Sequence, residues 1–256
     1  MKKILIVEGN LREENQSFSE AGIQTHTESL KDSLAYFTDK LETHVVNPSS
    51  DENIDKNIDA LESYDGLIWG GSSLNIYNNT PEIKRQIEFM KECQKKIKKI
   101  LAICWGMQVA VTAAGGEVKK ATKGSHRGIA SNIEINEKGL NHPLYKNKDK
   151  KFNTPAFNFD EVVTMPENSI LLASNSINNV QGINFKVGKC NIWGLQYHPE
   201  ITYNKMINLI IFRKKRLLEK SAFKDENEIN NHIKHIETEN NKLDKVSRMR
   251  ELENWL

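Results

Sequence analysis

Lys99-Ile-Leu-Ala-Ile103-Cys104-Trp105-Gly106-Met107-Gln-Val-Ala-Val-Thr-Ala-Ala114-Gly115-Gly116 changes character at a single residue. Lys99 to Ile103, apolar without a break from Ile100, reads as a strand buried on both faces in a parallel sheet. Met107 to Ala114 reads as a helix that stops at the glycine pair. Cys104 therefore falls at a strand-to-helix corner. Ala102 and Gly106, two positions to either side, are small enough for the tight turn of a nucleophile elbow. There the thiol projects free of the sheet at the positive end of the helix dipole, which favours thiolate over thiol. Taken alone, such a cysteine is also explained as a small core hydrophobe.

Working outward, the chain alternates. Lys3 to Val7 reads as a first strand, and Thr25-His26-Thr27-Glu28 has capping-box form, with Leu30, Leu34, Phe37 and Leu41 following at helical spacing. Val45-Val46 is a second strand, and Ile54, Ile58 and Leu61 mark a second helix. Gly66 to Trp69 is a third strand, and Thr80-Pro81 caps a helix carrying Ile83, Ile87 and Met90. This βαβ order predicts an α/β fold: a mostly parallel sheet with helices on both faces and the reactive residue at a strand's C-terminal end. Residues 117–136 and 162–197 read as shorter strands and turns, including antiparallel pairs. Asn10 to Ile23 reads as a long polar loop at the same sheet edge, a lid or a plain surface loop.

A second segment, Gly194-Leu-Gln-Tyr-His198-Pro199-Glu200, follows the cysteine by 94 residues at its histidine. Ile192 to Tyr197 alternates as a strand, and Pro199 forces His198 toward an extended conformation. In extended chain, residues i and i+2 share a face, so Glu200 can accept one ring proton of His198 and turn the other nitrogen toward the sulfur. Nucleophile, base and orienting carboxylate then stand in one constellation, which points to cysteine-based acyl chemistry.

Composition narrows the rest. Lys+Arg 36 against Asp+Glu 34 leaves a net charge of +2, so charge offers no argument for nucleic acid or membrane. There is no apolar run long enough to span a bilayer, and the early first strand leaves no room for a signal peptide. Cys93, Cys104 and Cys190 show no CxxC or metal-ligand spacing. We therefore expect no metal, no cofactor, and a reducing, cytoplasmic setting. From Met206 the chain reads as helical and highly charged. Arg213-Lys214-Lys215-Arg216 is read as a solvated face, because acidic residues balance it. Ile229, Ile233, Ile236 and Leu243 predict a helix that packs on its own domain, a second copy of the chain or a partner.

These motifs resemble those of the class I, triad-type glutamine amidotransferases. Ala102 to Gln108 is similar to the family's nucleophile pattern, Gly194 to Glu200 to its Gly-x-Gln-Phe/Tyr-His-Pro-Glu pattern, and Gly70-Gly71-Ser72-Ser73-Leu74-Asn75-Ile76-Tyr77 to its glycine loop. The resemblance covers roughly residues 1 to 212. It implies a flavodoxin-like amidotransferase domain over 1–212 and a charged helical C-terminal extension over 213–256. Within the family the chain looks most like stand-alone members related to the amidotransferase domain of GMP synthase.

By the same resemblance, Cys104 attacks the side-chain amide of L-glutamine, His198 moves the proton and Glu200 orients His198. The backbone N–H groups of Gly71 and Trp105 are the expected oxyanion hole. Ser73, Gln108, Phe159 and Asp160 are expected to bind substrate. One segment departs: where many members carry Ser-His-x-Asp-x-Val, this chain has Phe157-Asn158-Phe159-Asp160-Glu161-Val162. Either backbone contacts persist there, or the substrate is a γ-glutamyl compound with a bulkier leaving amine.

Three function classes follow. The favoured one is a glutaminase that passes ammonia to a separate synthase protein, since no P-loop-like pattern or synthase domain is found in this sequence. The alternative is a self-sufficient γ-glutamyl amide or peptide hydrolase with the same Cys-His-Glu triad. A non-catalytic regulatory protein on this scaffold is the third, and the intact triad argues against it. A homo-oligomer is also left open.

Overall fold

The computed structural model describes residues 1–50 and 54–256. Strands and helices alternate through the first half: β1 (Lys2–Val7), α1 (Arg12–Glu20), α2 (His26–Phe37), β2 (Leu41–Val46), α3 (Ile54–Ala60), β3 (Gly66–Trp69), α4 (Pro81–Lys96), β4 (Lys99–Ile103) and α5 (Trp105–Ala113). Shorter elements follow: β5 (Glu117–Lys120), β6 (His126–Ile135), α6 (Glu137–Leu140), β7 (Lys151–Asn158), β8 (Asp160–Thr164), β9 (Ile170–Ser174), β10 (Gly182–Val187) and β11 (Cys190–Leu195). The C-terminal helices are α7 (Tyr203–Phe212), α8 (Lys214–Glu219), α9 (Glu226–Asn240), α10 (Lys245–Arg248) and α11 (Arg250–Trp255).

Among the described residues, one large sheet runs in the order β2-β1-β3-β4-β11-β10-β9-β6-β7, and β5 pairs with β8 in a separate ladder. The run from β2 to β11 is parallel. Beyond β11 the pairings turn antiparallel. The change follows from the connections. Helical crossovers return a chain parallel, whereas the tight turn at Gly188, φ 56°, can only fold β10 back on β11.

Alternate residues of the parallel strands enter two separate cores. Leu5, Val7, Leu67, Trp69, Ile100 and Ala102 face α4 and α5. On the other face Ile4, Ile6, Ile68, Leu101 and Ile103 meet Leu30 and Leu34 of α2 together with Met249, Leu252 and Trp255. The final helices thus close one face of the sheet, and Lys99 donates a 2.8 Å hydrogen bond to the Trp255 carbonyl. The helix predicted around Ile229 and Ile236 packs on its own domain: both are buried with Tyr203, Ile210 and Ile129.

Three local expectations are corrected. Residues 10–23 are not a plain loop, because α1 occupies Arg12–Glu20. Its sequence is so polar that no apolar period shows, and a single buried anchor, Phe18, holds it edge-on against Phe212 at 5.8 Å. Leu41 does not continue α2: that helix ends at Phe37, and Leu41 opens β2 opposite Lys2. The helix after the elbow begins at Trp105 instead of Met107.

Candidate functional site

Three adjacent parallel strands, β3, β4 and β11, deliver the three sequence motifs to one sheet edge. Leu195 at the end of β11 pairs with Ile103 at the end of β4, and Trp69 of β3 pairs with Ala102. Cys104 follows Ile103 directly, and its N–H donates to the Leu195 carbonyl at 2.6 Å. A separation of 94 residues in sequence is thereby reduced to neighbouring strand ends.

Cys104 takes φ 52° and ψ −105°, a conformation that costs a non-glycine residue energy and is held here by the strand before it and the helix after it. Gly106 makes the corner possible. A Cβ there would lie 2.4 Å from the Trp69 carbonyl oxygen, and the Gly106 N–H donates to Gly70 at 3.1 Å. The Trp105 N–H opens the helix, where backbone donors have no intrahelical acceptor. The Trp105 indole itself is anchored by donating to Gln86 at 2.7 Å.

His198 and Glu200 stand as the i, i+2 rule requires: His198 Nδ1 meets Glu200 Oε1 at 2.7 Å, both side chains being buried. Burial opposes charge on the imidazole, yet the Glu200 carboxylate and the Cys104 sulfur, by charge and by hydrogen bonding, outweigh it and push the ring up to about 10. Burial dominates at the other thiols, joined at Cys93 by the nearby Cys190 and Glu92. It raises Cys93 well above its ordinary value and Cys190 to about 12, which leaves both inert at neutral pH.

Gly71 sits against the same histidine. A Cβ at that position would be 2.7 Å from His198 Cε1 and 3.0 Å from His26 Cε1. Ser73, Gln108, Phe159 and Asp160 all line a cavity of about 550 Å³ that opens from Cys104. Ser73 is tied to the first strand's loop, its N–H donating to Asn10 Oδ1 at 3.0 Å. The Asp160 carboxylate accepts from Asn75 Nδ2 at 2.8 Å and from the Tyr77 hydroxyl at 3.0 Å, and burial raises it. Phe157 and Asn158 are both part of this wall. Asn158 is spent on the fold, since its oxygen meets His126 Nδ1 at 2.9 Å and its amide donates to the Asp160 carbonyl.

Several residues around the site take their part only through tertiary contacts. The buried His26 ring stacks on His198 with centroids 5.3 Å apart and planes 20° apart. Burial, then the charges of Lys205 and His198, hold His26 well below the usual histidine range, so it is a neutral platform. Gln196 donates to Cys104 Sγ at 3.6 Å, and Gln108 to Gln196 at 3.4 Å. Arg248 of α10 is buried and donates to the carbonyls of Pro199 and, at 3.1 Å, Ile201, clamping the turn that carries Glu200. Glu251 accepts from the Tyr197 hydroxyl at 2.7 Å. The charged C-terminal segment therefore buttresses the His-Pro-Glu turn directly.

The basic run also requires correction. Lys214 and Lys215 are a solvated face paired with Glu226 and Glu219, but Arg213 is not. Arg213 Nη2 donates to Glu14 at 2.8 Å, and its guanidinium lies over the rings of Phe18 and Phe157. As for metals, His26, His198 and Glu200 bring one donor atom each within 4.8 Å of one another. Nδ1 of His198 and Oε1 of Glu200 are already committed to each other.

A cysteine at a strand-to-helix elbow, with a histidine–carboxylate pair just past the end of the next parallel strand, defines the class. The chain belongs to the family of class I glutamine amidotransferases, whose pattern matches residues 23–216. It is similar to the γ-glutamyl-L-1-hydroxyisopropylamide hydrolase of a Pseudomonas species, at 29% identity over 236 residues, covering 91% of this chain and 78% of that one. γ-Glutamyl peptidase 4 of Arabidopsis thaliana is 31% identical over 152 residues, and the chain spans only 59% of that relative's length. A subunit of the glutamine-hydrolysing GMP synthase of Sulfurisphaera tokodaii is 28% identical over 153 residues, 59% of this chain and 75% of that one. A glutamine amidotransferase from Thermotoga maritima superposes with a TM-score of 0.68 over 99% of this chain and 96% of that one, at 17% identity, a likeness of fold. Among the described residues no helix is long and apolar enough to cross a membrane.

Proposed function

We propose that this protein is a cysteine-dependent hydrolase of γ-glutamyl amides. With the thiol's proton held on His198, the Cys104 sulfur bonds to the γ-carbonyl carbon of the substrate. The tetrahedral oxyanion is held by the N–H groups of Gly71 and Trp105, donors whose individual loss costs about a hundredfold or more in such enzymes. As the C–N bond breaks, His198 returns the proton to the leaving amine and a glutamyl thioester remains. Water then attacks the thioester with His198 as base, releasing glutamate and restoring the thiol. Glu200 keeps one tautomer of His198 throughout. Ser73, Gln108, Phe159 and Asp160 are the residues we assign to substrate binding.

The observation that carries the substrate class is the cavity. About 550 Å³ opens from Cys104, whereas glutamine fills roughly 150 Å³ at interior packing density. The surplus space suits a leaving amine larger than ammonia. The match to the Pseudomonas γ-glutamyl amide hydrolase, running over 91% of this chain, supports the same reading.

A second reading, the glutaminase that supplies ammonia to a separate synthase, draws on the resemblance to the GMP synthase relative over 59% of the chain. One assay separates the two: glutamate release from L-glutamine and from a panel of substituted γ-glutamyl amides, for the wild-type chain and Cys104→Ala. The hydrolase reading expects Cys104-dependent turnover with substituted amides preferred and no partner protein present. Preference for glutamine would favour the glutaminase, and turnover that survives Cys104→Ala would sink both.

A further inference from the structure

We propose that the mouth of this cavity is a carboxylate-binding subsite built by the C-terminal segment, and that it selects γ-glutamyl compounds whose leaving amine carries a carboxylate, as in a γ-glutamyl dipeptide. The proposal rests on the hydrolase reading and adds which amine is released.

The charged side chains lining the cavity are Lys120, Asp160, Arg213, Arg216 and Lys220. Their fates differ. Asp160 is held by Asn75 and Tyr77. Arg213 is a strut whose charge is met by Glu14 and whose guanidinium packs on two phenyl rings. Arg216 and Lys220 feel Glu14 and Asp160 only from a distance. Among the described residues neither lies within 4.0 Å of a carboxylate, although their neighbours Lys214 and Lys215 do. Arg216 lies on α8 and Lys220 caps its end. Four residues apart, they share a face, and that face is turned to the cavity. Lys120 joins them from the end of β5, where it pairs with Asp160.

The departing segment at Phe157-Asn158, with the phenylalanine that follows at 159, accounts for how this wall is seated. The two rings meet edge-on at 6.0 Å and pack against the cluster of Leu217, Phe223 and Ile229. The apolar residues thus fasten α8 over the cavity, and the polar side of α8 supplies the unpaired cations. A substrate with a neutral amine leaves those cations unmatched. A carboxylate on the amine meets them as charge-assisted hydrogen bonds.

The test compares γ-glutamylglycine with γ-glutamylglycinamide, which differ only by that carboxylate. In the wild-type chain we expect kcat/KM to favour the dipeptide by roughly tenfold, the factor for about one partly solvated charge-assisted bond, and the preference to shrink as salt is added. In the double variant Arg216→Gln, Lys220→Gln the ratio falls toward one. Both positions are exposed, so the fold is retained. Binding of the same two compounds to Cys104→Ala, measured by calorimetry, reads the preference without turnover. If that preference is present while the wild-type chain turns over neither compound, the subsite stands and the hydrolase reading falls. A wild-type ratio near one, a preference that persists in the double variant, binding of neither compound, or an equal loss on both substrates overturns the subsite. The last result would assign the cations to the glutamyl group's own carboxylate.

Discussion

Replacing Gly71 by alanine adds one methyl group at the point where the glycine loop meets the base. Gly71 does not use left-handed backbone, so the methyl introduces contact and no torsional strain. The new carbon would lie 2.7 Å from His198 Cε1, where ordinary contact begins at 3.4 Å, so the ring must retreat by 0.7 Å, the difference of the two. Retreat is opposed on the other side: His198 is held to Glu200 at 2.7 Å, and His26, stacked on it, is itself 3.0 Å from the added carbon. A displacement approaching 1 Å of a group that must transfer a proton costs about a hundredfold in rate, or about 2.7 kcal/mol in the barrier.

Global stability changes too. Overpacking of about 1–3 kcal/mol is offset in part by the stiffer unfolded chain, so the melting temperature drops by up to about 10 °C. Steady-state glutamate release and thermal unfolding measure the two effects. Gly70→Ala is the matched control: its added carbon would meet nothing nearer than 3.5 Å, and it should keep activity close to wild type. If Gly71→Ala retains kcat/KM within threefold of wild type, the tight apposition of loop and base is not what holds His198 in register.

Other outcomes follow from the same structure. His198 is raised from 6.5 to about 10, so the stability its charge contributes is complete below 6.5 and is lost as pH rises through about 10; melting curves of wild type and Glu200→Gln should converge across that window. His126 is pushed down to about 4 by burial, so its neutral ring is fully favourable above 6.5 and destabilises the fold as pH falls toward 4. A His126→Gln variant should show a flatter acid limb in thermal unfolding, and an unchanged limb would count against this. Trp255→Ala removes a buried indole that packs against Gly66 and receives the Lys99 ammonium at 4.2 Å from its ring. Denaturant unfolding should show a loss of about 3–5 kcal/mol, whereas a loss under 1 kcal/mol would mean that α11 is not part of the cooperative core.

Features that depend on neighbours within a few residues could be read directly from the chain. The strand, the corner and the helix around Cys104 follow from an apolar run, two flanking small residues and a glycine pair. The His198–Glu200 pairing follows from extended chain after a proline constraint, and the capping box at Thr25 and Glu28 forms as its spacing predicts. Because β3, β4 and β11 are parallel and adjacent, motifs that end those strands had to converge, and family resemblance supplied that adjacency. Contacts made across the fold left no such local trace. α1 is nearly all polar, and its place is set by Phe18 and by a salt bridge from Glu14 to a residue 199 positions away. His26 looks like the second residue of a capping box until packing lays it on His198. The run Arg213 to Arg216 has one composition but two environments, because a helix turns successive side chains in different directions and only tertiary packing shows which of them meets a cavity, a carboxylate or water.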